Sequence, residues 1–120
     1  MINLVDQALA EDMVKTAGEW PYEIDEFEMV GLETAPSDLV KPPRVANAPI
    51  AMEAKLAQLI PIPDSTSALV LARVERFHIR QDLMLPKGTV DPVKFDPVAR
   101  LASADYTTLG TILTILRPEV

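Results

Sequence analysis

The chain of 120 residues contains no cysteine and a single histidine, His78. The absence of cysteine excludes disulfides, iron–sulfur clusters and thiolate zinc sites. One histidine cannot supply a metal centre built mainly from imidazole ligands. We therefore expect no metal site in this chain.

Glycine is also scarce, and its four copies stand apart from one another along the chain. A P-loop and a dinucleotide-binding turn both need clustered glycines, because their backbone must approach a phosphate closely. No serine lies in the Gly-x-Ser-x-Gly context of a hydrolase nucleophile. The acidic residues do not follow the spacing of a calcium loop. None of these motif-defined classes has support in the sequence.

Basic residues are few, with 11 lysines and arginines against 18 acidic residues and a net charge of −7. This balance argues against a nucleic-acid partner, because neutralising phosphates requires a basic face. The acidic excess lies in residues 1–40, where ten carboxylates face one base, whereas residues 41–120 carry eight acids and ten bases. We expect an anionic ligand to bind residues 41–120; the alternative is a solvated acidic helix beside a mixed surface.

Long apolar runs are missing too, since no run approaches the roughly 20 residues that span a bilayer. Residues 1–6 lack the basic start and apolar core of a secretory signal peptide. These features predict a cytoplasmic protein without a membrane partner.

Two helices are predicted near the start of the chain. Apolar residues recur at four-residue spacing through residues 6–17, as on the buried face of a surface helix. Asp6 can cap this helix, and Gly18 is predicted to end it in a left-handed conformation. A second, short helix is predicted between a capping residue, Asp25, and a terminating glycine, Gly31.

The remainder of the chain favours strands. Six prolines between residues 35 and 63 exclude a helix there, because proline fixes φ and donates no hydrogen bond. Alternation predicts a strand over Ala51–Ile60, with Glu53 on its polar face. A strand over Ala68–Arg80, apolar on both faces early and polar on one face late, is expected to run from a buried centre to a rim. The short turn between the two predicts an antiparallel hairpin. The β-branched tail, Thr107–Leu116, predicts one further strand. The fold class is therefore α+β and mainly antiparallel.

Six motifs follow one another along nearly the whole chain. They are Asn3-Leu4-Val5, Asp25-Glu26-Phe27-Glu28 with Gly31-Leu32, Pro42-Pro43-Arg44-Val45, Pro49-Ile50-Ala51-Met52-Glu53, the strand Leu69–Ile79, and Arg100-Leu101-Ala102-Ser103-Ala104-Asp105-Tyr106. This ordered set resembles the C-terminal part of the flavin reductase-like family. Its members are FMN-binding split β-barrels, similar to flavoredoxin and to the reductase components of two-component monooxygenases.

The resemblance implies that residues 1–120 form a single, partial domain. Members of the family have a further N-terminal half that supplies most FMN contacts, so the chain is expected to be a truncated relative. The sequence departs from the family pattern at two places. Ala102-Ser103 stands where a glycine pair is usual, and Ala72 stands where glycine is common. Each departure places a Cβ where the backbone would approach a flavin.

Two residues near the C-terminus are implied as cofactor-binding by the resemblance. Arg100 could face the phosphate of FMN or the pyrophosphate of a nicotinamide dinucleotide, because a guanidinium binds anions in a bidentate manner. Its alternative role is a surface salt bridge with Asp96 or Asp105. Tyr106 could stack near the isoalloxazine ring, and its alternative role is to pack at the edge of the core.

Two further residues are implied as cofactor-binding. Asn3 lies where the strand of the family approaches the cofactor. His78 could polarise an oxygen of flavin or nicotinamide, because it is the one side chain expected to titrate near neutrality. Its alternative role is that of a rim residue on a strand. No catalytic residue is assigned.

The function implied by the resemblance is that of an FMN-binding oxidoreductase taking hydride from NAD(P)H. The alternative is a shortened relative that binds a partner protein without flavin. Family barrels pair as homodimers, and unpaired strand edges favour association, so a homo-oligomer is expected. A monooxygenase partner is also implied.

Overall fold

The computed structural model describes residues 1–119, which form three small antiparallel sheets and three short helices. The strands are β1 (Ile2–Leu4), β2 (Thr34–Ala35), β3 (Arg44–Val45), β4 (Ile50–Pro61), β5 (Ala68–Ile79), β6 (Ala99–Arg100) and β7 (Tyr106–Thr107). The helices are α1 (Ala10–Thr16), α2 (Glu26–Val30) and α3 (Pro92–Phe95). The predicted α+β, mainly antiparallel fold class is confirmed.

The hairpin of β4 and β5 is the largest element and confirms the predicted pairing. Its register runs from Ile50 opposite Ile79 to Pro61 opposite Ala68, with two shifts in the pairing between the strands. The strand β1 pairs with the other edge of β4, giving the sheet order β1-β4-β5. Alternating side chains and a short turn favour this arrangement, because each strand can then bury one face.

The first helix begins as predicted but ends differently. The carboxylate of Asp6 accepts a hydrogen bond from Leu9 N at 3.0 Å, and a 3₁₀ turn over Gln7–Leu9 leads into α1. The prediction that Gly18 adopts a left-handed conformation is wrong, since its φ is not positive. The Trp20 indole lies against Gly18 and donates to Lys15 O at 3.1 Å, so this side chain satisfies a carbonyl at the helix end.

The second helix follows the sequence prediction at both ends. The Asp25 carboxylate accepts from Phe27 N at 2.9 Å, and Gly31 terminates the helix with φ of 76°. Glycine is favoured at a helix end that has a left-handed backbone conformation, because a residue with a Cβ atom would be strained there.

The core lies where the hairpin base meets the helices. Leu9, Val45 and Ala48 form a buried cluster, against which Val5, Phe27 and Leu32 pack. The opposite half of the hairpin is exposed, and Val70 retains 57% of its accessible surface. The expectation that β5 starts in a buried centre is therefore wrong: its end near His78 is the more buried one.

The prediction of a C-terminal strand over Thr107–Leu116 is wrong beyond Thr107. Only Tyr106–Thr107 is a strand, paired with β6, and residues 108–119 have no regular structure. Leu113 is 76% exposed. β-branched residues favour a strand only where a neighbouring strand offers pairing and burial, and the described chain offers neither here. Among residues 1–119, no helix is both long enough and apolar enough to cross a bilayer.

Candidate functional site

Arg100 and Tyr106, two of the four predicted site residues, meet in one cleft. They lie directly opposite each other in the β6–β7 ladder. Helix α1 forms the facing wall of this cleft, which has a volume of about 550 Å³. The remaining lining residues are Ala10, Glu11, Val14, Ala17, Ser103 and Ala104. We call this the Arg100 cleft.

The Arg100 guanidinium is oriented by the backbone. Its Nε and Nη2 both donate to Ser103 O, at 3.2 and 2.9 Å. The alternative salt bridges with Asp96 or Asp105 are absent among residues 1–119. The two bonds use one edge of the fork and leave the Nη1 donors for another acceptor.

Ser103 holds a backbone conformation that ordinarily favours glycine. Its φ is 52°, in the left-handed region. Ser103 is the second residue of the Ala102-Ser103 pair singled out in the sequence. The tight turn closes with hydrogen bonds between Leu101 and Asp105, at 2.9 Å, and between Asp105 N and Ala102 O, also at 2.9 Å. The serine therefore retains the turn that directs its carbonyl oxygen to Arg100.

The cleft offers an aromatic ring, a cation and one opposing charge. The half-buried ring of Tyr106 can contact a planar ligand. Arg100 can donate to an anion, while the carboxylate of Glu11 lines the same space and repels one. This mixture suits a ligand with an extended ring better than a small, highly charged anion.

Asn3 is placed away from the Arg100 cleft. Its Oδ1 accepts a hydrogen bond from Val45 N at 3.1 Å, which ties β1 to β3. It lines a separate cavity of about 260 Å³, whose other residues include Leu9, Phe27 and Leu32. Its side chain therefore already has a structural partner.

His78 is also apart from the cleft, and its main partner is a residue that sequence reasoning missed. The imidazole Nε2 lies 2.6 Å from Glu53 Oε1. Glu53 is completely buried, although alternation had placed it on a polar strand face. The reason is that the proline-rich segment folds over this face, and three of its backbone N–H groups donate to the carboxylate. These are Asp38 at 2.7 Å, Leu39 at 2.6 Å and Val40 at 3.1 Å.

The surroundings of Glu53 keep it ionised. Burial alone would raise its pKa, but the hydrogen bonds from Asp38 N, His78 and Leu39 N outweigh burial and lower the pKa to about 2. An ionised carboxylate can only accept hydrogen bonds, so the shared hydrogen lies on His78 Nε2. In the sequence, the one indication of this site is Glu53 itself, an acidic residue in an alternating strand beside a proline-rich stretch.

The ligand atoms of Asp38, Glu53 and His78 lie within 4.8 Å of one another. Both carboxylates already have partners, because Arg76 contacts Asp38 at 2.6 Å and both oxygens of Glu53 accept backbone hydrogen bonds. The cluster serves to anchor the segment around Asp38 onto β4 and β5.

Comparison with known proteins identifies a matching family model and several relatives of this chain. The family model described as the flavin reductase like domain matches residues 1–94, which stops before Arg100 and Tyr106. An uncharacterized protein of Halalkalibacterium halodurans is 28% identical over 100% of this chain and 59% of its own length. An uncharacterized protein of Aquifex aeolicus is 31% identical over 88% of this chain and 53% of its own length.

Solved structures show the same fold. Nitrilotriacetate monooxygenase component B from Bacillus cereus has a TM-score of 0.87 and 28% identity, covering 94% of this chain and 57% of that one. The 2-nitrobenzoate 2-nitroreductase of Pseudomonas fluorescens has a TM-score of 0.82 and 30% identity, covering 98% and 58%. The flavoredoxin of Desulfovibrio vulgaris, at 24% identity, shares the fold with a TM-score of 0.79 over 94% and 60%. The chain thus spans about six tenths or less of the length of these proteins. It belongs to the flavin reductase-like family.

Proposed function

We propose that this chain is part of an FMN-binding oxidoreductase that receives hydride from NAD(P)H. The observation that carries the proposal is the Arg100 cleft, where a half-buried ring and an oriented guanidinium face one helix. Its volume of about 550 Å³ lies within the roughly 300–1,000 Å³ of small-ligand sites. Membership of the flavin reductase-like family supports the choice of ligand.

The residues of the cleft fit a flavin in part. Tyr106 would contact the isoalloxazine ring, and the Nη1 donors of Arg100 would bind an anionic group of FMN or of the nicotinamide dinucleotide. Val14 and Ala17 supply apolar surface from α1. Glu11 opposes any phosphate placed beside Arg100, so the phosphate is expected to need further donors.

The protein contributes position and electrostatics, whereas bound FMN would supply the capacity to accept a hydride. Arg100, fixed by Ser103 O, would hold an anion without losing side-chain freedom on binding. The Tyr106 ring would set the orientation of a stacked ligand. The apolar wall of α1 would exclude water from that face.

Two partners are proposed with this function. A homo-oligomer would cover the apolar hairpin residues that the described chain exposes, among them Leu59, Val70 and Leu71. A monooxygenase would accept the reduced flavin, in line with the similarity to a protein named as a monooxygenase component.

The same exposed hairpin favours a second candidate, a protein-interaction module without flavin. The two candidates differ in a direct observation. A yellow preparation, with flavin absorbance that survives gel filtration, favours the oxidoreductase. A colourless preparation whose spectrum FMN does not alter favours the interaction module.

The proposal is tested by titrating the chain into FMN and following flavin fluorescence. Micromolar binding corresponds to about 8 kcal/mol, whereas one charge-assisted hydrogen bond contributes about 1.5–3 kcal/mol and one aromatic contact about 0.5–1.5 kcal/mol. We therefore expect this chain alone to bind FMN more weakly than micromolar and to oxidise NADH slowly.

Variants locate the binding. Arg100→Gln and Tyr106→Ala should weaken FMN binding, and Glu11→Gln should strengthen it by removing the opposing charge. Arg73→Gln is the matched control, since Arg73 is an exposed residue of β5 that does not line the cleft. If FMN fluorescence stays unchanged, or if the cleft variants behave like the control, the proposal is wrong.

A further inference from the structure

A third cavity, of about 420 Å³ and with a polar lining, lies between the turn after β3 and the end of β5. Three basic side chains, Arg44, His78 and Arg80, line it together with small and apolar residues. Within residues 1–119, no carboxylate is among its lining residues. We call it the basic cavity, and it differs in this respect from the Arg100 cleft, which contains Glu11.

Arg44 is the least compensated of the three basic residues. Its Nε is buried and has no hydrogen-bond partner in the described chain. No carboxylate of residues 1–119 forms an ion pair with it. The backbone of Arg44 is held by strand pairing with Ala35. A buried donor without an acceptor is costly. Because the Nε is shielded, a ligand in the cavity would contact the Nη groups of the same guanidinium.

The other two basic residues are held in place by carboxylates outside the cavity. Glu53 accepts a hydrogen bond from His78 Nε2 at 2.6 Å, which leaves Nδ1 as the uncommitted ring nitrogen. Arg80 contacts Asp82 at 2.7 Å and Asp6 at 3.6 Å. These contacts pair both residues with carboxylates and fix their positions, so Arg44 supplies the main positive charge of the cavity without a partner among residues 1–119.

We propose that the basic cavity binds a phosphate monoester, with the Arg44 guanidinium as its principal donor. A monoester carries close to two negative charges and three acceptor oxygens, and arginine presents several donors in a planar fork. The proposal rests on the proposed function, because FMN carries a 5′-phosphate and NADPH a 2′-phosphate.

The primary test uses inorganic phosphate as the probe and needs no flavin. The Nε–Hε signal of Arg44 in a ¹H–¹⁵N spectrum should shift on addition of phosphate and stay unchanged with sodium chloride of equal ionic strength. Arg44→Gln should abolish the phosphate-dependent shifts of neighbouring amides, whereas the control Arg73→Gln should retain them. Because the first measurement uses the unmodified chain, it remains decisive even if Arg44→Gln fails to fold.

Two paired ligands identify the source of the phosphate. If it is that of FMN, FMN should bind about tenfold or more tightly than riboflavin, and Arg44→Gln should bring this ratio close to one. If the phosphate is that of NADPH, NADPH should bind more tightly than NADH, and Arg44→Gln should bring the ratio of these two affinities close to one. Arg73→Gln should leave both ratios unchanged.

The outcomes separate the two proposals. Phosphate binding that depends on Arg44 supports the anion site, and if FMN then fails to bind, only the proposed function is contradicted. If phosphate does not shift Arg44 Hε, and Arg44→Gln leaves both ligand ratios unchanged, the anion site is refuted.

Discussion

Replacing Asp6 with alanine tests whether one carboxylate positions the helix that lines the Arg100 cleft. Asp6 accepts from Leu9 N at 3.0 Å and lies 3.6 Å from an Arg80 nitrogen. Loss of a helix cap costs about 1 kcal/mol, and a partly exposed ion pair contributes about 0–1 kcal/mol. Leu9 N also donates to the backbone O of Asp6 at 3.2 Å, which alanine retains. The cost of Asp6→Ala should therefore be about 1–2 kcal/mol.

Asp6→Asn separates the two contributions. Asparagine is as good a cap as aspartate, so this variant should lose only the attraction to Arg80, at most about 1 kcal/mol. Thermal unfolding followed by circular dichroism should show a decrease of about 4–8 °C for Asp6→Ala, at about 4 °C per kcal/mol for a chain of this size. The decrease for Asp6→Asn should be under about 4 °C.

Salt and a second substitution serve as controls. The small effect of Asp6→Asn should fade at high salt, because exposed ion pairs are screened, whereas the capping effect should persist. Arg80→Gln should cost less in the Asp6→Ala background than in the unmodified chain. If Asp6→Asn and Asp6→Ala are equally destabilised, the capping explanation is refuted.

Other single substitutions test the remaining contacts. Glu53→Gln turns an amide NH₂ toward backbone donors, so the thermal midpoint at neutral pH should fall. The pKa of Glu53, about 2, lies below its usual 4.5, so its contribution is present above pH 4.5 and is lost as the pH falls through 2; the difference from the unmodified chain should shrink over that window. A difference independent of pH would contradict this. Gly31→Ala should cost about 1–2 kcal/mol in urea unfolding, because its φ is 76°. No atom of residues 1–119 lies within 4 Å of the added Cβ, so the cost is expected from the backbone and not from a clash. Gly110→Ala, at an open position without positive φ, should change stability by less than about 0.5 kcal/mol; equal effects would contradict the backbone explanation. Leu113→Ser should likewise leave the unfolding free energy within about 0.5 kcal/mol, and a large loss would show that the tail is packed.

Local patterns predicted the elements but not their burial. The hairpin of β4 and β5 and the helix ending at Gly31 follow from alternation, capping and turn residues, which act over a few positions. The predicted strand over Thr107–Leu116 failed because strand propensity without a paired neighbour does not form a ladder. The predicted left-handed end at Gly18 is wrong because the Trp20 side chain, which follows the helix, donates a hydrogen bond to the Lys15 carbonyl oxygen in the last turn.

The candidate site shows the same limit. The sequence indicated Arg100 and Tyr106, and the β6–β7 register brings them together. It also indicated Asn3 and His78, but the fold places them in two other cavities. No local pattern reports the distance between residues that are far apart along the chain.

The sequence by itself determined the family, the antiparallel class, the hairpin and the N-terminal caps of the first two helices, because these depend on residue order and short-range spacing. Only the tertiary structure decided that Glu53 is buried and ionised, and that Arg44 has a buried donor without a partner among residues 1–119. Both depend on a proline-rich segment folding back over the sheet. Burial and charge compensation are set by which distant groups come into contact, and that is a property of the folded chain.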